Sequence, residues 1–146
     1  MTPPLLTITV VGTPAPQGSK RHVGRGVMVE SSKAVRPWRE AVKWAALARV
    51  SRSGPPLDEP LAVEMCFTLA RPKSAPKRRR HPDRMPDLSK LVRSTEDALT
   101  DAGVWADDAR VVACRARKVY AGSPDPDALP VPGAVIKIWP ITEGAA

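Results

Sequence analysis

Apolar and polar positions alternate along some stretches of the chain and recur every three to four residues along others. Residues 5–11 (LLTITVV) are rich in β-branched side chains and bounded by prolines and Gly12, which predicts a first strand. GTPAPQGSKRHVGRG reads as a loop from its glycine, proline and basic content, and VMVE predicts a short strand after it. Over SSKAVRPWREAVKWAALARV, Trp38, Ala41, Val42, Ala45 and Ala48 recur at helical spacing. Arg36, Arg39 and Lys43 fall on a second stripe, which predicts a first helix with Pro37 at its first helical position. SRSGPPLDEP ends that helix, and LAVEMCFTLA alternates as a second major strand.

A second helix is predicted over 87–101. Leu88, Leu91, Val92, Thr95, Ala98, Leu99 and Ala102 form its apolar stripe, and Ser89, Arg93, Glu96, Asp97 and Thr100 lie opposite. Gly103 stops it. VWADDARVVACRARKVYAG reads as a tight turn running into a strand, GSPDPDALPVPG as a proline-rich loop, and AVIKIWPI as a last short strand. The order predicts one α+β domain, a sheet covered by two helices.

Composition narrows the function more than the fold. The 146 residues suit a single domain and are 42% hydrophobic and 26% charged, which excludes a wholly disordered chain or a coiled coil. No apolar run nears the roughly 18 residues of a membrane span, so an integral membrane protein is excluded. The N-terminus lacks the basic leader of a secretory signal. Net charge is +8, and a small basic domain points to nucleic acid. That charge is concentrated. RPKSAPKRRRHPDR cannot build a core and reads as a mobile loop, and nine lysines and arginines across 71–93 face Asp83 and Asp87 alone. Nine cations so close repel one another unless an anion binds, so the run is read as a contact to the phosphate backbone.

Other features carry less. Cys66 and Cys114 sit in apolar runs without a CxxC pair and read as two buried free thiols; with His22 and His81 they lack the close ligand pairs of a zinc site. The tryptophans read as core or dimer interface, with Trp105 the best-placed candidate to stack on an unpaired base. The acidic residues are more telling. Asp87 stands at the start of the second helix and Asp107-Asp108 just past its end. A strand returning along the helix would carry Asp108 back towards Asp87. Carboxylates converging beside a basic surface suit a hard cation such as Mg2+.

At PDLSKLVRSTEDALTDAGVWADDARVV the chain resembles the RusA-type crossover-junction endodeoxyribonucleases, the Holliday junction resolvases of phage and prophage origin. The matching residues are Asp87, Lys90-Leu91, Arg93, Asp97-Ala98-Leu99-Thr100, Val104-Trp105, Asp107-Asp108 and Val111, with Gly12, Pro14, Lys20 and Arg21 in the opening loop. The resemblance covers roughly 5–120. It implies a single domain over 1–146, with a basic loop at 71–86 and a less matched segment at 121–146. The implied fold is α+β, one mixed sheet packed by two main helices, in an intertwined homodimer. Its implied activity is Mg2+-dependent cleavage of four-way DNA junctions in recombination and repair, with Mn2+ able to substitute, in the cytoplasm of a bacterial host.

Carried over residue by residue, the resemblance makes Asp87, Asp108, Arg93 and Asp107 catalytic and Asp87, Ser89 and Asp108 the metal ligands. Lys20, Arg21, Lys73, Lys77, Arg78, Arg79, Arg80 and Lys90 become the DNA contacts. Two positions depart from the family pattern: Ser89 replaces a carboxylate, and Arg93 replaces the usual lysine. Glu96 or Asp97, on the Ser89 side of the helix, is available to compensate. The alternative reading is a non-catalytic nucleic-acid-binding module on the same fold, with Ser89 marking a decayed metal site.

Overall fold

The strand predicted at 5–11 forms as β1 (Leu6–Val11), and its partner is the last strand of the chain, β6 (Gly133–Pro140). In the computed structural model, residues 2–18, 20–22, 28–30, 33–50 and 54–141 are described. The opening loop contains one element that its composition hid: β2 (Lys20–His22) pairs antiparallel with β3 (Met28–Glu30). Three-residue strands are too short to show an alternation. Helix α1 (Val35–Leu47) precedes β4 (Leu61–Leu69), and helix α2 (Leu88–Asp101) precedes β5 (Val111–Tyr120). Pro37 is the third residue of α1 rather than the first; it still lies in the first turn, where no backbone N–H is required.

The main sheet has the order β1-β6-β4-β5. Its first two pairings are antiparallel and β4–β5 is parallel, so the sheet is mixed. Parallel neighbours need a crossover, and here it consists of the basic loop, α2 and the acidic turn. The C-terminal segment that carried the weakest pattern supplies β6, which bridges β1 and β4.

Both helices pack on the sheet and on each other. Trp38 of α1 lies with its ring centroid 6.5 Å from that of Phe67 on β4. Its Nε1 donates to Thr95 Oγ1 of α2 at 3.1 Å, which satisfies the indole inside the core. Leu91, Ala98 and Leu99 on the predicted α2 stripe are buried beside Ile8, Met65 and Ile136. Gly103 takes φ +76° directly after α2, a conformation that ends the helix at no steric cost.

Two expectations change. Strand β4 begins alternating and is then continuously buried over 65–69. Its second face is covered there by the chain before β6, where Leu129 N donates to Thr68 Oγ1 at 3.0 Å. Of the two cysteines, Cys66 is buried, and burial pushes its thiol up to about 11. Cys114 is exposed, because among the described residues neither face of β5 is covered over 112–115.

Candidate active site

The crossover sets where the charged segments go. The basic loop leaves the end of β4, α2 follows, and the acidic turn delivers the chain to the head of β5, where Val111 pairs with Leu61. That turn is held from inside. Trp105 is buried and its Nε1 donates to Thr100 Oγ1 at 2.7 Å, so this indole serves packing and is not a stacking surface. Leu57 N donates to Val104 O, and Ala106 N to Leu57 O, on either side of it.

Asp107 and Asp108 project from this turn into solvent. Asp107 caps a single 3-10 turn (Asp108–Arg110) by accepting from Ala109 N at 2.7 Å. That bond, and a second from the carboxyl of Asp108, hold Asp107 below the ordinary carboxylate range. Asp108 is shifted the other way, first by its hydrogen bond to Asp107, then by partial burial and by the charges of Asp107 and Asp97. Asp107 therefore ionises before Asp108 as pH rises. Glu96 is also raised, by burial first and then by the charges of Asp108 and Asp97. The turn thus faces the third turn of α2, and its acidic side chains are electrostatically linked to Glu96 and Asp97.

Asp87 and Ser89 are placed by the other end of α2. Asp87 is the N-cap residue, yet its side chain makes no capping bond and lies 4.0 Å from Lys90 Nζ. Lys118 of β5 fixes the approach by donating to the carbonyls of Arg84 and Pro86, both at 2.9 Å. Ser89 and Arg93 are exposed on the polar side of the helix. The expected return of Asp108 towards Asp87 does not occur within the chain: β5 passes the start of α2 only at Lys118, whereas Asp108 stands beside Glu96 and Asp97 nearer the other end of the helix.

Of the cations, Lys73, Lys77, Arg78 and Arg80 are exposed and form no ion pair among the described residues. Arg79 is half-buried and lies 3.7 Å from Asp83, which also pairs with Arg84 at 3.0 Å. Lys20 and Arg21 lie on β2, and their side chains fall outside the described residues.

The family model described as endodeoxyribonuclease RusA matches residues 10–126. The chain belongs to the RusA family. No curated relative matches it. The RusA span begins inside β1 and ends beyond β5, so it contains the basic loop, α2 and the acidic turn, while β6 lies outside it. RusA membership gives the activity class, an endodeoxyribonuclease acting on DNA, and it accounts for the concentrated positive charge. Among the described residues no helix is long and apolar enough to cross a membrane.

Sequence reasoning missed Arg117 and Lys118, and read Arg71 only as one cation of the basic run. Arg117 joins Glu64 at 3.0 Å, Asp125 at 2.7 Å and Asp127 at 3.1 Å, and Asp127 also takes Lys137 at 3.0 Å. These partners come from three separate segments, so no local spacing signals them.

The donor set fits a cation in one way and not another. Among the described residues no three His, Cys, Asp or Glu form a metal cage. A pair does exist: Asp107 and Asp108 set two carboxyls side by side on an exposed turn, electrostatically linked to Glu96 and Asp97. Mg2+ commonly takes one or two carboxylates and completes its shell with water and phosphate oxygens, so the pair fits that pattern.

Proposed function

We propose that the protein resolves four-way DNA junctions by Mg2+-dependent phosphodiester hydrolysis, with Mn2+ able to replace Mg2+. One observation carries this reading: two adjacent carboxyls, Asp107 and Asp108, stand at the end of a crossover that begins with a loop where Lys73, Lys77, Arg78 and Arg80 form no ion pair among the described residues. Asp107 and Asp108 would hold the ion, with Glu96 and Asp97 beside them as further oxygen donors; Asp87 and Ser89 of the same chain begin α2 about 15 Å along the helix from Asp97, too far to share it. When bound, the ion acidifies water and offsets charge on the phosphate.

The remaining work falls to the chain itself. Lys73, Lys77, Arg78 and Arg80 grip the phosphate backbone without reading sequence. Arg93, exposed on α2, offers a fork that binds a phosphate bidentately. Asp108 must be ionised for the pair to hold a cation. Paired incisions need two such sites, which a homodimer with a two-fold axis provides. The setting consistent with this is the bacterial cytoplasm, with a phage or prophage source.

The test is nicking of a synthetic four-way junction with and without Mg2+, using Asp108→Asn as the blank. Cleavage that needs the ion and vanishes in the variant supports the reading. Junction binding without cleavage at any Mg2+ or Mn2+ concentration would favour the binding-module reading, for which Ser89 in place of a carboxylate is the motive.

A further inference from the structure

At the end of β4 and β5 opposite the acidic turn, a cavity of about 550 Å3 opens between the basic loop and the chain leaving β5. That volume lies within the range of clefts that hold small ligands. Arg71, Arg80 and His81 line one side of it, and Val119, Tyr120 and Pro124 line the other. The register brings these walls together, since Leu69 and Tyr120 form the last rung of the parallel ladder and the two chains part from there.

Arg71 is built into this place. Its guanidinium lies 5.1 Å from the centroid of the Tyr120 ring. Its two terminal nitrogens donate to the carbonyls of Arg79 and Pro76, so the plane is fixed while the residue stays exposed. With those donors occupied, Arg71 is less a phosphate clamp than a flat cationic platform. Arg80 keeps its guanidinium unpaired among the described residues and supplies the phosphate-seeking group. Asp125 also lines the cavity, but Arg117 grips it at 2.7 and 2.8 Å and holds its carboxyl at about 2, so an adjacent cation offsets its charge.

A fixed guanidinium backed by an aromatic ring, an apolar wall and a free cation are the parts with which proteins hold an unstacked base. We infer that this cavity receives one unstacked nucleotide of the bound DNA, its base on Arg71 and its phosphate on Arg80 and His81. The ten residues of β5 separate it from the acidic turn by about 33 Å. The contact therefore grips the substrate and takes no part in the chemistry. The substrate class rests on the nuclease reading above, whereas the contact itself is read by binding alone.

The full chain is titrated in EDTA against two labelled duplexes that differ by one extrahelical 2-aminopurine. The bulged duplex should bind about ten-fold more tightly, the size of one base-stacking contact. Arg71→Lys keeps the charge and loses the plane, so the preference should fall to about one while paired-duplex affinity holds within about two-fold. Ser123→Trp fills the cavity from the opposite wall and should do the same, which covers a disturbance of the loop by the first substitution. Equal wild-type affinity for both duplexes, or a preference that survives both substitutions, overturns the inference. Free dAMP that abolishes the preference would place a mononucleotide there and overturns it as well. Junction cleavage in Mg2+ is scored separately. Cleavage without the bulge preference defeats the cavity alone, and the preference without cleavage defeats the nuclease reading alone.

Discussion

Asp108 combines two demands that conflict: it keeps its proton longer than an ordinary aspartate, and it must lose it to bind a cation. Because its carboxyl is raised, chiefly by the bond to Asp107, protonation returns at a pH above the ordinary carboxylate range as the solution is acidified. The Mg2+ needed for half-maximal cleavage should therefore climb as pH falls, beginning above that range, as a titration at several pH values would show. Asp108→Asn should abolish cleavage while junction binding persists or tightens, since a carboxylate without a cation repels phosphate. Parallel loss of binding would assign it a structural role. Ser89→Asp adds ligand charge at the start of α2 and should lower the Mg2+ requirement only where a second copy of the chain brings that position to the acidic turn; an unchanged requirement would mean that it does not. Asp125 works in the opposite sense, because Arg117 holds it at about 2 against an ordinary 3.8. Its contribution is present above the ordinary value and fades as pH falls through about 2. Arg117→Ala should cost about 2 kcal/mol in urea unfolding, the scale of charged hydrogen bonds in a half-buried setting. Asp107 and Asp108 were legible because they are neighbours in the chain. Arg117 was not, because its worth depends on residues brought from Glu64, Asp125 and Asp127.

Helices announced themselves more clearly than strands. The period of α2 predicted its bounds to within one residue, since a helix keeps its buried face through local geometry alone. Strand β4 lost its alternation because a distant segment covers its second face, and β5 exposes Val112, Cys114 and Arg115 because, among the described residues, neither of its faces is covered there. Strand β6 looked peripheral and proves central. Its first residue leaves no room for a side chain: a Cβ at Gly133 would meet Val10 O at 2.1 Å and Leu129 Cδ1 at 2.7 Å. Gly133→Ala should lower stability by about 2 kcal/mol or more, read from the denaturation midpoint. The basic loop was legible as a loop from its prolines, but the tie from Arg71 to Pro76 and Arg79 was not. Replacing Lys77, Arg78 and Arg80 with Ala should weaken junction binding and flatten its salt dependence by about three units of slope, one for each lost phosphate contact. An unchanged slope would move the DNA surface away from this loop.

At the scale of the molecule, each chain offers one acidic turn while a junction needs two cuts. Sedimentation should show a species of twice 15.7 kDa, and a strictly monomeric chain that still makes paired cuts would require another explanation. The strand order has a different consequence. The exposed basic loop divides the chain into a front part carrying β1 and β4 and a rear part carrying β5 and β6. In the sheet these alternate, front, rear, front, rear, so every ladder joins one part to the other. A single protease cut after Arg78 would leave two fragments, neither able to build any pair of the main sheet alone, and each presenting open edges to the other. Made separately, they would regain structure only on meeting. Fused to two other proteins, such fragments would report on whether those proteins come together.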